Sequence, residues 1–199
     1  MAKVEVTTPI GKLMFPNLFR PEQPTNQSGQ PSGDPRFNCM LVFDPKAQQT
    51  AAYKALKEAI NEVAKDYFKG NVPRTARNPL IRAADTEYPD KYEGIGEDDV
   101  FIRPWSKYQP GLVDGQLNDI TIESDVWAGQ LWRATVTPSG YDTSGNKGVM
   151  LFLNNMQMAK ADMPRLDGRK SAAASFDALD DEDGGGVAPS EEAAEGFFS

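Results

Sequence analysis

The chain has 199 residues, a formal net charge of −8, no histidine and one cysteine. Its length suits one domain with extensions, able to bury a core without staples. The composition excludes disulfides within the chain, imidazole acid–base chemistry and a zinc site built on His or Cys.

The charge is unevenly distributed. Ser171 to Ser199 hold eight of the 29 acidic residues and no Lys or Arg, so the 21 remaining acids balance the 21 basic residues of the first 170 positions. A neutral body over 1–170 is therefore expected to carry an acidic arm over 171–199, ending in Phe197-Phe198-Ser199. Met1 to Val6 lack the apolar run of a signal peptide, and no stretch is long enough to span a bilayer. A soluble protein of the cytoplasm, with no membrane partner, is expected.

In chain order, residues 3–19 hold short β-like stretches punctuated by Pro9 and Pro16. Residues 21–35 have four prolines, two glycines and almost no apolar side chain, which predicts a long mobile loop. Arg36 to Phe43 alternates as a strand, with Phe37, Cys39, Leu41 and Phe43 on one face and Arg36, Asn38 and Met40 on the other. Cys39 reads as a small buried hydrophobe. Asp44-Pro45 offers an N-cap and a first-turn proline for a helix running to about Phe68, with Gly70 beyond its end. Tyr53, Leu56, Ile60, Val63 and Tyr67 make one stripe. The same spacing suits a coiled-coil seam, but over only two heptads, so packing on a sheet is expected.

Residues 71–97 read as irregular because of Pro73, Pro79 and Pro89, and they carry Arg74, Arg77 and Arg82. Strands are predicted at Val100–Arg103, around Ile120–Ile122, at Gln130–Thr137 and at Val149–Met158. The last two should pair as a hairpin across a loop from Pro138 to Gly148. Trp132, Ala134 and Val136 share a core face, and Arg133, Thr135 and Thr137 an open one. The sum is a mainly β, α+β domain with one long helix, suited to a small antiparallel barrel with long loops. After Lys170 order is expected to end.

Catalysis finds little support. Gly140 to Lys147 lacks the Lys that a phosphate loop needs directly after its second glycine. Asp180-Asp181-Glu182-Asp183 lacks the register of a calcium loop. Asp98 and Asp99 are adjacent and would point apart on a strand. Without a nucleophile–base pair, an enzyme, a metal site and a cofactor are not expected. What remains is aromatic residues interleaved with cations. Ile102 to Tyr108 contains Arg103, Trp105, Lys107 and Tyr108. Rings and cations in such a pattern suit single-stranded nucleic acid, bound by base stacking and phosphate neutralisation. The candidate DNA-binding residues are Arg36, Arg74, Arg77, Arg103, Trp105, Lys107, Tyr108, Arg133, Tyr141 and Lys147. An alternative leaves Trp105 and Tyr108 covering a core edge, with the cations paired to nearby acids.

Several motifs together resemble a phage family of single-stranded DNA-binding proteins. They are Leu18-Phe19-Arg20-Pro21, Leu41-Val42-Phe43-Asp44-Pro45, Tyr92-Glu93-Gly94, Arg103-Pro104, Val126-Trp127-Ala128-Gly129 and Gly145-Asn146-Lys147-Gly148-Val149, and the similarity covers about residues 10–180. The resemblance implies an oligonucleotide/oligosaccharide-binding (OB) fold, a five-stranded barrel with elaborated loops. It also implies a sequence-independent, cooperative protein that coats unwound DNA in phage replication or recombination, self-associating on it in the bacterial host cytoplasm. The arm is similar to the acidic, aromatic-ended C-terminus of replicative single-stranded DNA-binding proteins of bacteria and T7-like phages, although it ends in Phe-Phe-Ser. That likeness implies a partner-binding tail of Asp180, Asp181, Glu182, Asp183, Glu191, Glu192, Glu195, Phe197 and Phe198, which gates the groove and recruits replication or recombination proteins. The competing expectation is a phage structural or scaffold-like protein whose acidic tail controls assembly.

Overall fold

The computed structural model describes residues 4–25, 28–143 and 145–166. The acidic arm over 171–199, with every tail residue named above, lies outside them. Nine strands and one long helix are present among the described residues: β1 (Val6–Thr7), β2 (Gly11–Glu22), β3 (Arg36–Phe43), α1 (Ala51–Tyr67), β4 (Ile81–Arg82), a single helical turn α2 (Tyr88–Lys91), β5 (Val100–Ile102), β6 (Trp105–Ser106), β7 (Gly111–Val113), β8 (Leu131–Thr143) and β9 (Asn146–Lys160).

Strand pairing runs from β8 to β2, β3, β6 and β9 and returns to β8. That is the five-stranded path of an OB barrel, joined between β6 and β9 by the parallel bridge Trp105–Phe152. The sheet is mixed where an antiparallel one is expected, because β6 and β7 both run parallel to β9.

One core fills the inside of this path. Leu13, Leu41, Phe43, Trp132, Val136, Leu151 and Met156 meet there, and Leu56 and Ile60 of α1 complete it. The stripe on α1 thus packs on the sheet, as its spacing predicts. A second apolar cluster lies on the other face of β2 and β3, where Met14, Met40 and Val42 are covered by Ala83, Ile95 and Phe101. Both faces of β3 are therefore buried from Cys39 to Phe43, and alternation marks a choice between two cores instead of core and solvent. Burial pushes the Cys39 thiol up to about 12, which keeps it protonated and inert.

Local chemistry explains where the sequence expectations shift. Asp44 does cap a turn, its Oδ1 accepting from Ala47 N at 2.7 Å, but the turn is short and ends at Gln49. The helix starts again after Thr50, whose extended backbone and Oγ1, accepting from Tyr53 N at 3.3 Å, make a second N-cap. Pro16 sits inside β2 at a register shift, beside Phe15 with φ 48°, so the strand bends where the proline lacks an N–H. The Pro138–Gly148 loop is mostly strand: β8 and β9 pair as far as Thr143–Asn146.

Ile120 to Ile122 form no strand. Ile120 N donates to Leu112 O at 2.8 Å and Asp114 N to Asn118 O at 2.9 Å, so the contact with β7 is a single bridge at Asp119 that does not extend through Ile120–Ile122. In the predicted mobile loop, the described residues bond to one another: Ser32 N donates to Pro24 O and Gln23 Nε2 to Gly33 O, both at 2.8 Å. Two glycines in the hairpin are required by close approach. A Cβ on Gly140 would lie 2.2 Å from Tyr67 Cγ, and one on Gly148 2.4 Å from Arg77 O.

Candidate nucleic-acid interface

The open face of β2, β3 and β6 carries a groove made of three adjoining clefts. Register places its parts. Asn38 of β3 lies opposite Trp105 of β6 and Asn17 of β2, and Trp105 in turn lies beside Phe152 of β9. Phe152 faces outward because Leu151 and Leu153 point into the core.

The middle cleft, of about 390 Å³, is lined by Arg36, Asn38, Arg103, Trp105 and Glu22. Arg36 lies over the Trp105 ring at 5.0 Å, and Trp105 meets Phe152 edge-on with centroids 4.9 Å apart. To one side, a cleft of about 580 Å³ continues past Trp105 to Lys107, Tyr108 and Phe152. Tyr108 is 75% exposed, far more than a ring covering a core edge would be. To the other side, a cleft of about 370 Å³ runs from Arg103 and Asn38 to Phe15, Tyr88 and Tyr92. Those three rings pack together, with Phe15–Tyr92 at 4.9 Å and Tyr88–Tyr92 at 5.4 Å, and Arg103 lies 5.8 Å from the Tyr88 ring. Cations and aromatic faces therefore alternate along the groove.

Five of the ten candidate residues come together there: Arg36, Arg103, Trp105, Lys107 and Tyr108. The other five line none of the three clefts. Arg77 pairs through its backbone with the hairpin, its N donating to Lys147 O at 2.9 Å and its O accepting from Val149 N at 3.1 Å. Tyr141 stands opposite Gly148, and Lys147 reaches Asp142 at 3.5 Å. Arg74 is exposed in the segment before Arg77. Arg133 lies on the open face of β8, as its parity predicts, and donates Nε and Nη2 to Gln157 Oε1 at 2.9 and 2.6 Å. Tyr141 shares that outward face with Thr137, the partner of Phe152, so the hairpin group lies about 13 Å along β9 from the groove.

Sequence reasoning missed Phe15, Tyr88, Tyr92 and Phe152. A signal existed for three of the positions. Phe152 alternates with apolar core residues on β9, and Tyr88 and Tyr92 stand four apart, on one side of a helical turn.

Residues 23–25 border the middle cleft and residues 32–35 the Tyr108 cleft, where Asp34 approaches Lys107 at 3.9 Å with both side chains exposed. Such a pair is weak, yet Asp34 competes with any phosphate for Lys107. Replacing Asp34 with Asn should tighten binding of a dT oligonucleotide at low salt by about two- to threefold. The gain should vanish at high salt, as measured by fluorescence anisotropy.

No group of three or more His, Cys, Asp or Glu is placed to hold a metal ion among the described residues. No helix among them is long and apolar enough to cross a membrane.

A search of curated protein sequences finds no match to the chain. The family of the Enterobacter phage Enc34 ssDNA-binding protein matches residues 4–185. The chain belongs to this family. Among solved structures, it is similar to the Enc34 single-stranded DNA-binding protein in complex with ssDNA, with a TM-score of 0.66 and 18% identity over 80% of this chain and 88% of that one. A C-terminal truncation of the Enc34 protein gives 0.64 and 18% over the same shares. The single-stranded DNA-binding protein gp2.5 of bacteriophage T7 gives 0.57 and 12%, over 94% of this chain and 100% of that one. At these identities the structural likeness is one of fold, and it places the Enc34-family barrel among the OB folds of phage single-stranded DNA-binding proteins.

The segment Val126 to Gly129 has a local structural role. Trp127 Nε1 donates to Met163 O at 3.1 Å and Arg165 lies 4.5 Å over its ring, which straps the segment before the arm to the barrel.

Proposed function

We propose that this protein binds single-stranded DNA along the groove and coats it cooperatively, without regard to most of its sequence, during phage replication or recombination. The observation that carries the reading is the alternation of ring and guanidinium along one open face: Arg103 with Tyr88, then Arg36 with Trp105, then Phe152 and Tyr108. Every base has a π-face, so rings bind them all, while Arg36, Arg103 and Lys107 neutralise phosphates. A base can stack on the Arg36 guanidinium or displace it from Trp105. Arg77, Tyr141 and Lys147 at the hairpin end, Arg74 just before Arg77 in the chain, and Arg133 toward the opposite end of β8 extend the cationic surface for a longer strand. Membership of the Enc34 family supports the same reading.

Titration with a fluorescent dT tract at several salt concentrations tests it. Binding should quench Trp fluorescence and fall with log salt, at a slope of about 0.7 per phosphate contacted. Absence of binding at low salt, with or without residues 171–199, would overturn it.

The acidic arm, in this proposal, competes with DNA for the groove and, once displaced, presents Phe197 and Phe198 to a replication or recombination partner. The charge of the arm supports this, and the last described residue lies on the domain's second apolar cluster. Leu166 N donates to Ala128 O at 3.0 Å, and its side chain packs on the same apolar cluster as Phe15 and Tyr88 of the groove. Leu166 is the last described residue, and the sequence from Ser171 onward carries eight carboxylates. Deleting 171–199 should tighten dT binding on the order of tenfold at low salt, with the difference closing as salt screens the arm. Equal affinities of the two forms at low salt would remove the gating role.

A further inference from the structure

A carboxylate stands in the middle of this cationic groove, and phosphate binding gives it no role. Glu22, at the end of β2, lines both the Trp105 cleft and the Tyr88 cleft. Arg103 lines both clefts too and Arg36 the first of them, yet among the described residues neither forms an ion pair with Glu22. Its Oε2 instead accepts from two amides, Asn17 Nδ2 and Asn38 Nδ2, each at 2.9 Å. Asn17 Nδ2 also approaches Asn38 Oδ1 at 3.3 Å, which ties the three side chains together.

A local irregularity of β2 builds the arrangement. Asn17 pairs with Asn38 and Glu22 with Arg36, so the five-residue step along β2 faces a two-residue step along β3. Bulges of this kind re-aim side chains, and this one brings Glu22 back beside Asn17.

We propose that Glu22, held by Asn17 and Asn38, is a guanine-preferring base subsite between the two aromatic stations of the groove. The inference rests on the single-strand-binding reading above. An anionic group repels phosphates, so the backbone should follow Arg36, Arg103 and Lys107, with base edges turned toward Glu22. A carboxylate only accepts hydrogen bonds and offers about four acceptor sites. Two are taken by the amides, leaving two. Guanine presents two adjacent donors on its Watson–Crick edge, the N1 imino and the N2 amino group. Cytosine and adenine present one amino group there, and thymine one imino group. Guanine therefore fits the site best, and adds one preferred position to a tract that otherwise tolerates any base.

The test uses the full-length chain and short dT oligonucleotides in which a single dG is moved along the tract, so that no guanine-rich structure forms. A second set carries deoxyinosine, which keeps N1–H and lacks the amino group. At one or more positions dG should bind about five- to tenfold tighter than dT, and deoxyinosine should lose most of that gain. Glu22→Gln should bring the ratio of dG to dT below about twofold.

Equal affinity for dG, deoxyinosine and dT at every position, with dT binding intact, would overturn the subsite and leave the broader reading standing. A guanine preference that survives in Glu22→Gln would overturn it too. So would a variant that loses thermal stability while the wild type shows no preference, since Glu22 would then only hold the bulge. If the wild type binds no oligonucleotide at all, both readings fall.

Discussion

Replacing Trp105 with alanine is expected to weaken binding of a dT tract by about 1–3 kcal/mol, roughly 5- to 150-fold, because one stacked base loses its platform. The residual Trp quenching on DNA should fall in step. The cost to folding should be small, on the order of 1 kcal/mol, since the ring is only half-buried and its contacts are with Arg36 and Phe152. Anisotropy titration and a thermal melt on one sample separate the two effects. A large drop in melting temperature that matches the loss of affinity would return Trp105 to the core and leave the groove without its central ring.

Trp132 should behave in the opposite way, although it lies on the strand beside β9 and is the same residue type. It is 0% exposed at the centre of the barrel, and its Nε1 donates to Gln130 Oε1 at 3.2 Å. Trp132→Ala empties a large volume that surrounding strands cannot close, at a cost of about 3–5 kcal/mol. Gln130 Oε1 retains its other donor, Trp127 N at 3.1 Å, so the loss is one of packing more than of hydrogen bonding. Denaturant unfolding should show the midpoint collapse. Where the variant remains folded at low temperature, its affinity for dT should stay within about twofold of the wild type, because no groove contact has been removed. Normal stability together with lost DNA binding would mean the parity of β8 has been read the wrong way round.

Parity separates these two tryptophans. Along β8 the period-2 pattern places Trp132, Ala134 and Val136 inside and Arg133 outside, and all four side chains lie as predicted. The same holds for the long helix, whose stripe meets the sheet through Leu56 and Ile60. Periodicity works for these elements because they are long and bury one face. It fails for β6 and β7, which have two and three residues, too few to show a period. It also fails for the segment over 71–97, where Pro89 reads as a breaker yet sits in the first turn of α2, a place proline tolerates. That turn aims Tyr88 and Tyr92 at Phe15, and nothing local reveals the meeting.

The candidate site divides along the same line. Arg103, Trp105, Lys107 and Tyr108 were legible as a cluster because they are neighbours in the chain. Arg74, Arg77 and Lys147 are marked by charge alone, and none of them lines the groove: the fold sets Arg77 and Lys147 at the hairpin end and Arg74 just before Arg77. Composition cannot tell a cation that faces a groove from one that decorates a turn.

By itself, then, the sequence determined the segregation of charge into body and arm, the helix, the strand faces and the absence of imidazole and thiol chemistry. Those properties follow from local composition and period. Only the tertiary structure decided that residues 15, 22, 38, 88, 105 and 152 share one surface. Pairing across β2, β3, β6 and β9 brings most of them together, with Tyr88 placed by its packing on Phe15 and Phe101. An outward-facing ring or carboxylate carries no periodic mark of the neighbour it will meet.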